Sequence, residues 1–131
     1  MRYVVATDTV ETSELVADYL AGRLDPDDEV YAVNSQFGGD ETSSDELREG
    51  EAALAEFEAA VDGEATVETH QFVRGNRPEE DVLQYADEVD ADELVFSVRD
   101  RSPAGKAIFG SVSQRLLLQS DRPMRVVPRE E

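Results

Sequence analysis

The sequence predicts an α/β fold: one open, doubly wound, parallel sheet of five strands in the order 3-2-1-4-5, with four helices. Stretches typical of strands alternate regularly with stretches typical of amphipathic helices along the chain. Such alternation favours a parallel sheet that is covered on both faces and connected by right-handed crossovers. The 131 residues, of which 40% are hydrophobic, suffice for a conventional core, so we expect a single domain spanning residues 1–131.

The first strand and the first helix follow from the N-terminal segment. Tyr3–Ala6 is a continuous apolar run, as expected of a central strand that is buried on both faces. Thr12 or Ser13 is the predicted cap of a helix that ends near Asp25 and Pro26. The buried stripe of this helix recurs every four residues, at Val16, Leu20 and Leu24.

The second strand and the second helix flank a polar loop. Glu29–Ser35 predicts the strand, and the glycine-rich segment Gln36–Ser43 predicts the loop. Ser44 is the predicted cap of a long helix over Asp45–Val61. The apolar stripe of this helix consists of Leu47, Leu54, Phe57 and Val61.

The third and fourth strands flank the third helix. Ala65–Val73 alternates between apolar and polar residues, which is typical of a strand with one wetter face. Pro78 suits the first position of a helix over Glu79–Val89, because its missing N–H has no partner there in any case. Glu93–Val98 is mostly apolar and predicts the fourth strand.

The segment Arg99–Arg129 completes the alternation and reverses the charge of the chain. It predicts a loop over Arg99–Phe109, a helix over Gly110–Ser120 and a last strand over Met124–Val127. It holds 7 of the 12 basic residues but only 2 of the 31 acidic ones. The N-terminus of a helix offers unpaired N–H groups and partial positive charge, so a basic loop that leads into one predicts an anion site.

The topology places a ligand at the same point. In open parallel sheets, ligands bind at the carboxyl ends of strands where the direction of winding reverses. For the order 3-2-1-4-5 this point lies between the first and fourth strands, where Thr7–Thr9 and Arg99–Phe109 are expected to meet. We therefore predict a phosphate-bearing ligand.

Composition argues against several classes of function. The absence of cysteine excludes disulfides, thiolate chemistry and cysteine metal sites. A formal net charge of −19 disfavours binding to nucleic acid. No apolar run reaches the length of a membrane span, and the N-terminus lacks the apolar stretch of a signal peptide. We expect a cytoplasmic protein that contacts neither nucleic acid nor membrane.

The acidic residues are spread along the chain, and 11 of the 12 cations are arginine. This composition resembles that of proteins from salt-loving archaea, in whose cytoplasm salt screens the repulsion between carboxylates.

Other site chemistries find little support. His70 is the only histidine and has no partner in the sequence for a metal site, so none is expected. The phosphate loop of the Walker type is absent, and no nucleophile has an evident base, so no catalytic residue is predicted. A phosphoacceptor domain would need an acidic pair after the first strand and an acceptor after the third, but Asp8 stands alone and Val73–Gly75 contains no acidic residue.

Three segments resemble the universal stress protein family. They are the opening strand that ends in Asp8, the G-x-x-P turn of Gly75 and Pro78 followed by EEDVLQYADEVDADELVFS, and RSPAGKAIFGSVSQRLLLQSDRPMRVV. The resemblance covers nearly the whole chain and implies a fold like that of the adenine nucleotide alpha hydrolases. It implies a stress-response or regulatory protein that binds ATP or AMP, with Mg carried by the nucleotide. It also implies a homodimer that pairs through Met124–Val127 and acts on an unidentified protein partner, with slow ATP hydrolysis at most.

The resemblance and the local charge together select the candidate nucleotide-binding residues. The family implies that Asp8 bonds to the adenine or ribose and that the backbone of Val33 meets the adenine. Basic side chains of the loop are the candidate phosphate contacts. The full set is Thr7, Asp8, Val33, Ser97, Arg99, Arg101, Lys106, Gly110, Ser111, Val112 and Ser113.

The phosphate loop departs from the family pattern. Nucleotide-binding members carry Gly-x-x-Gly, nine residues, and then Gly-Ser or Gly-Thr; Gly110 and Ser111 match the end of this pattern. The two earlier glycines fall on Ser97 and Asp100, and a carboxylate at Asp100 would repel phosphate. This leaves an alternative open, namely a dimeric interaction scaffold that binds no nucleotide.

Overall fold

A computed structural model of the chain describes residues 1–98, 100–101, 107–108 and 111–128, with the backbone alone for residues 100, 101, 107, 108 and 111. The strands are β1 Arg2–Ala6, β2 Glu29–Gln36, β3 Thr66–Val73, β4 Glu93–Val98, β5 Asp100–Arg101, β6 Ala107–Ile108 and β7 Met124–Pro128. The helices are α1 Val10–Leu20, α2 Ser44–Ala60, α3 Pro78–Glu88 and α4 Ser111–Gln119, and Gly39–Glu41 forms a 3₁₀ turn.

The main sheet has five parallel strands in the order β3-β2-β1-β4-β7. The predicted order 3-2-1-4-5 is therefore confirmed. The segment predicted as a loop over Arg99–Phe109 contains a further element, because β5 and β6 pair as a short antiparallel hairpin. Each of these two strands has only two residues, so no apolar periodicity in the sequence could predict them.

Two apolar layers hold the helices against the sheet. On one face, Val5 of β1 packs with Val16 of α1 and Phe57 of α2. On the other face, Val4 packs with Val82 of α3 and with Leu116 of α4. Neighbouring residues of the central strand thus serve opposite layers, as the alternation of side chains along a strand requires.

The first helix begins and ends earlier than predicted. Thr9, not Thr12 or Ser13, is the cap, because its extended backbone lets Oγ1 accept from the Thr12 N–H at 3.1 Å. The helix ends at Leu20, so Leu24 packs against the core from the following loop rather than from the helix.

The other helices begin close to the predicted positions. Ser43, not Ser44, caps α2, and it forms a capping box with Glu46. Pro78 occupies the first turn of α3, as predicted. The remaining helix and strand boundaries differ from the predicted ones by at most one residue.

Candidate functional site

A cleft of about 470 Å³ opens at the carboxyl ends of β1, β2 and β4. It lies where the winding reverses, since β1 connects to one face of the sheet and β4 to the other. Its lining comprises Ala6, Thr7, Asp8, Thr9, Thr12, Val33, Asn34, Ser35, Gln36, Glu46, Glu49, Pro78, Val82, Phe96, Ser97, Val112, Ser113 and Leu116.

The floor of the cleft is set by the point at which β1 and β2 separate. The register pairs Ala6 with Val33, and the Thr7 N–H donates to the Val33 carbonyl at 3.0 Å. The peptide group of Val33 is thus already paired with β1. Backbone groups two residues apart on a strand point to the same side, so the next groups of β2 that face β1 belong to Ser35.

Thr7 is held in place by a buried series of hydrogen bonds through side-chain hydroxyls. Its Oγ1 lies 2.7 Å from Ser13 Oγ, and Ser13 Oγ donates to the Ala53 carbonyl at 2.6 Å. These bonds tie the end of β1 to both α1 and α2. The following residue, Asp8, is exposed at the mouth of the cleft.

Asn34 anchors the same strand ends through its side chain. It is 1% exposed, and its Nδ2 donates to the Thr7 carbonyl at 2.9 Å. Its Oδ1 accepts from Gln71 Nε2 at 3.0 Å and from Gln36 Nε2 at 3.3 Å. Gln71 Nε2 also donates to the Leu47 carbonyl of α2 at 3.0 Å.

Ser35 is anchored on the opposite face by a buried carboxylate. Its Oγ donates to Asp81 Oδ2 at 2.6 Å, while Arg74 Nε and Asn76 Nδ2 donate to Asp81 Oδ1 at 2.8 and 3.0 Å. Burial raises the pKa of Asp81, but the bonds from Ser35, Asn76 and Arg74 outweigh it and hold that pKa below its ordinary value. This cluster fixes the turn that carries Pro78 into the cleft wall.

The wall opposite is formed by β4 and α4. Ser113 Oγ donates to the Ser97 carbonyl at 3.1 Å, which joins the first turns of α4 to the end of β4. Arg115 Nη1 reaches Oε1 of the buried Glu79 at 3.1 Å and so links α4 to α3. The start of α4 is therefore fixed relative to the cleft.

The structure brings six of the predicted site residues to the cleft lining. These are Thr7, Asp8, Val33, Ser97, Val112 and Ser113. Predicted residues Arg99, Lys106 and Gly110 lie outside the described residues, as do the side chains of Arg101 and Ser111 and that of Asp100.

The charged side chains in the described part of the lining are all acidic. They are those of Asp8, Glu46 and Glu49, the last two from α2. Carboxylates accept hydrogen bonds from hydroxyl and amino groups and repel phosphate. This wall therefore offers acceptors to hydroxyl and amino groups and is unfavourable for an anion.

Sequence reasoning missed the polar end of β2. Asn34, Ser35 and Gln36 line the cleft although they were assigned to a strand end and a loop without a role. The available signal was the change from apolar to polar residues within EVYAVNSQ, at the strand next to the switch point.

Two further features are absent from the described residues. No group of three or more His, Cys, Asp or Glu side chains there is arranged to hold a metal ion. Within the same part of the chain, no helix has the length and apolar character needed to cross a bilayer.

Comparison with known proteins places this fold in a family. A universal stress protein from Archaeoglobus fulgidus superimposes with a TM-score of 0.79 at 34% identity, covering 97% of this chain and 98% of that one. The structure of the universal stress protein from Archaeoglobus fulgidus in complex with dAMP superimposes with a TM-score of 0.72 at 31% identity, covering 97% of each chain.

Sequence comparison agrees with these superpositions. A universal stress protein of Mycolicibacterium smegmatis is 46% identical over 48 residues, which are 37% of this chain and 37% of that protein, so the aligned part spans about a third of that relative. The profile of the universal stress protein family matches residues 1–128. The chain therefore belongs to the universal stress protein family.

Proposed function

We propose that this protein binds an adenine nucleotide in the cleft between β1 and β4 and acts as a stress-response or regulatory protein. The observation that carries the proposal is the separation of β1 from β2 after Val33, which opens a cleft of about 470 Å³ at the switch point of the sheet. The dAMP complex of the Archaeoglobus fulgidus relative supports the identity of the ligand.

The base end of the ligand lies against β1 and β2 in this proposal. The peptide group of Ser35 points toward β1 beyond the last paired residues, so its N–H and C=O offer a donor and an acceptor to the adenine edge. Asp8, exposed at the mouth, and Glu49 accept hydrogen bonds from ribose hydroxyls. Val33, whose backbone is paired with β1, contributes its apolar side chain to the floor.

The phosphate end lies at the start of α4. Ser113 is fixed there by its bond to the Ser97 carbonyl. We assign phosphate binding to the residues that lead into this helix, because a helix N-terminus and neighbouring arginines stabilise anions. These are Arg99, Arg101, Lys106, Gly110 and Ser111. ATP with Mg and AMP are both ligands of this class.

Pairing of two copies through β7 completes the proposal. β7 is the edge strand next to β4, and its residues Met124, Arg125 and Val126 are only half-buried. Arg125 Nε donates to both carboxylate oxygens of Glu93 at 2.9 and 3.2 Å, which links the side chains of β7 and the neighbouring strand β4. The dispersed acidic charge suits a salt-rich cytoplasm such as that of haloarchaea.

The test is titration calorimetry of the full chain with AMP, dAMP and ATP in molar KCl. We expect saturable binding of at least one nucleotide, and none of guanosine monophosphate at the same concentrations. A Kd weaker than about 5 mM for all three adenine nucleotides would overturn the proposal. Sedimentation in the same buffer gives the oligomeric state.

The alternative, a scaffold without nucleotide, is favoured by one observation. The charged side chains in the described lining are the carboxylates of Asp8, Glu46 and Glu49. If the Asp100 carboxylate adds to this repulsion, Asp100→Gly strengthens nucleotide binding. If the wild type fails to bind nucleotide while Asp100→Gly binds it, the protein is a scaffold whose phosphate loop is altered at Asp100.

A further inference from the structure

We propose that Asn34 is a positioning residue of the cleft, which keeps the peptide group of Ser35 available by occupying the carbonyl of Thr7. Gln71 fixes the orientation of the Asn34 amide and connects it to α2. The inference rests on the proposed function, because it concerns how the base-binding edge of that cleft is kept open.

The hydrogen-bond series between β1 and β2 shows what Asn34 replaces. The odd-numbered residues of β2 bond to β1: the Glu29 N–H donates to the Met1 carbonyl, and the Val33 carbonyl accepts from the Thr7 N–H. The next bond of a parallel ladder would run from the Ser35 N–H to the Thr7 carbonyl. Within the described residues that carbonyl receives Asn34 Nδ2 instead, at 2.9 Å.

The direction of the amide is determined by its neighbours. The carbonyls of Leu47 and Thr7 can only accept hydrogen bonds. Gln71 must therefore present Nε2 to Leu47, and the same Nε2 donates to Asn34 Oδ1. Asn34 is left with Nδ2 facing Thr7. In this relay Gln71 Nε2 thus donates both to the backbone of α2 and to Asn34, and Asn34 in turn donates to the backbone at the end of β1.

Packing confirms that the position is built for this amide. Asn34 is 1% exposed, and a Cβ added to Gly50 of α2 would overlap its Oδ1. Only a glycine lets the helix approach this closely. Because α2 also carries Glu46 and Glu49 in the cleft wall, the relay sets the distance between that wall and the end of β1.

The isosteric change Asn34→Asp removes the donor and leaves the shape. A carboxylate still accepts from Gln71 but cannot donate to Thr7. The Thr7 carbonyl then takes the Ser35 N–H, and the ladder extends into the base-binding edge. We expect a loss of at least tenfold in affinity for AMP, and slower hydrogen exchange of the Ser35 amide in the absence of nucleotide.

The experiment measures both quantities in molar KCl, which screens the repulsion between the exposed carboxylates of this acidic chain. Residue-resolved amide exchange compares Ser35 in the wild type and in Asn34→Asp, and calorimetry gives the Kd for AMP. The matched control is Glu51→Ala, a change at an exposed position of α2, for which the Ser35 amide should not slow and the Kd should stay within twofold.

The two readouts separate failure of this inference from failure of the proposed function. If the wild type binds no AMP, the proposed function fails, and the exchange of Ser35 still decides the role of Asn34. Unchanged Ser35 exchange in a folded Asn34→Asp overturns the inference, whatever the affinity. If Asn34→Asp does not fold, Asn34→Ala replaces it, because the alanine side chain has no donor for the Thr7 carbonyl and introduces no charge. A slower Ser35 amide then supports the inference, and an unchanged one overturns it.

Discussion

The two faces of strand β2 are held at its carboxyl end by different chemistry. Asn34 points toward α1 and α2 and is held by neutral amides, with Gln71 and Gln36 as its side-chain partners. Ser35 points toward α3 and is held by the carboxylate of Asp81, which Arg74 balances. Both anchors position the same stretch of backbone, but only one of them depends on ionisation.

The difference separates two tasks. A neutral, directional relay is unaffected by pH or salt and determines which backbone groups face the cleft. The charged cluster on the other face joins the ends of β2 and β3 to the start of α3, and its strength depends on the ionised state of a fully buried carboxyl. Mutations on the two sides should therefore differ in size and in pH dependence.

The largest effect is expected on the charged side. Asp81→Ala leaves Ser35, Asn76 and Arg74 without their common acceptor, and the free energy of unfolding should fall by about 2–3 kcal/mol. The value is below that for a fully buried ion pair because the Arg74 side chain is 40% exposed and can be hydrated. Urea unfolding measures it.

An exposed ion pair of α2 provides the control. Asp45 Oδ1 lies 3.4 Å from Arg48 Nη1, and the two side chains are 92% and 75% exposed. Asp45→Ala should cost less than about 1 kcal/mol. Equal losses in the two variants would show that the Asp81 cluster is no more than a surface ion pair.

A smaller effect is expected from Gly50→Ala on the neutral side. An alanine inside an exposed helix position would stabilise by up to about 1 kcal/mol relative to glycine. Here the new Cβ would overlap Asn34 Oδ1, so α2 must shift or the relay must break, and we expect a loss of about 1–2 kcal/mol. Destabilisation by Gly50→Ala, where the same change at an exposed helix position would stabilise, identifies the close contact with Asn34. Urea unfolding of Gly50→Ala, with the exposed Glu51→Ala as the neutral control, decides it.

The sequence contained enough information for the sheet but not for these anchors. Apolar runs and helical periods located the strands and helices of the main sheet, and the step in charge at Arg99 pointed to one end of it. By contrast, the relay depends on the register that sets Asn34 beside Gln71, and on the close approach of α2 at Gly50. Both are set by tertiary packing, and neither leaves a periodic trace.

Our proposal of Ser35, rather than Val33, as the residue whose backbone meets the base shows the same limit. The two residues share a face of β2, and their backbone groups point to the same side, so a pattern of period two cannot distinguish them. What distinguishes them is where β1 stops pairing, between Ala6 and Asp8. The cap of α1 is a similar case, because Thr9, Thr12 and Ser13 are all capable cap residues and only the backbone conformation selects Thr9.

The smallest expected effect is the pH dependence of stability, which should be present for the Asp81 cluster and absent for the Asn34 relay. In the folded protein the pKa of Asp81 is lowered from its ordinary value of 3.8, whereas the unfolded chain keeps that value. The carboxyl is ionised in both states at neutral pH, so its contribution to stability is fully present there. As the pH falls below about 4, the unfolded state takes up a proton first, and the contribution is progressively lost until the folded pKa is reached. Protonation leaves the group in place, which is why this loss is smaller than that caused by Asp81→Ala.

Other carboxyls of the chain titrate in the same window, so the informative quantity is a difference between variants. The difference in the free energy of unfolding between wild type and Asp81→Asn should narrow as the pH is lowered from about 5 to about 3. The wild type then loses the contribution of its ionised Asp81 carboxylate, which the variant lacks at every pH. The gap between wild type and Gly50→Ala should stay constant over the same range, since every group in that relay is neutral. Urea midpoints at each pH supply both curves. If the two differences changed with pH in the same way, the distinction between a charged Asp81 cluster and a neutral Asn34 relay would be contradicted, because both would then depend equally on protonation.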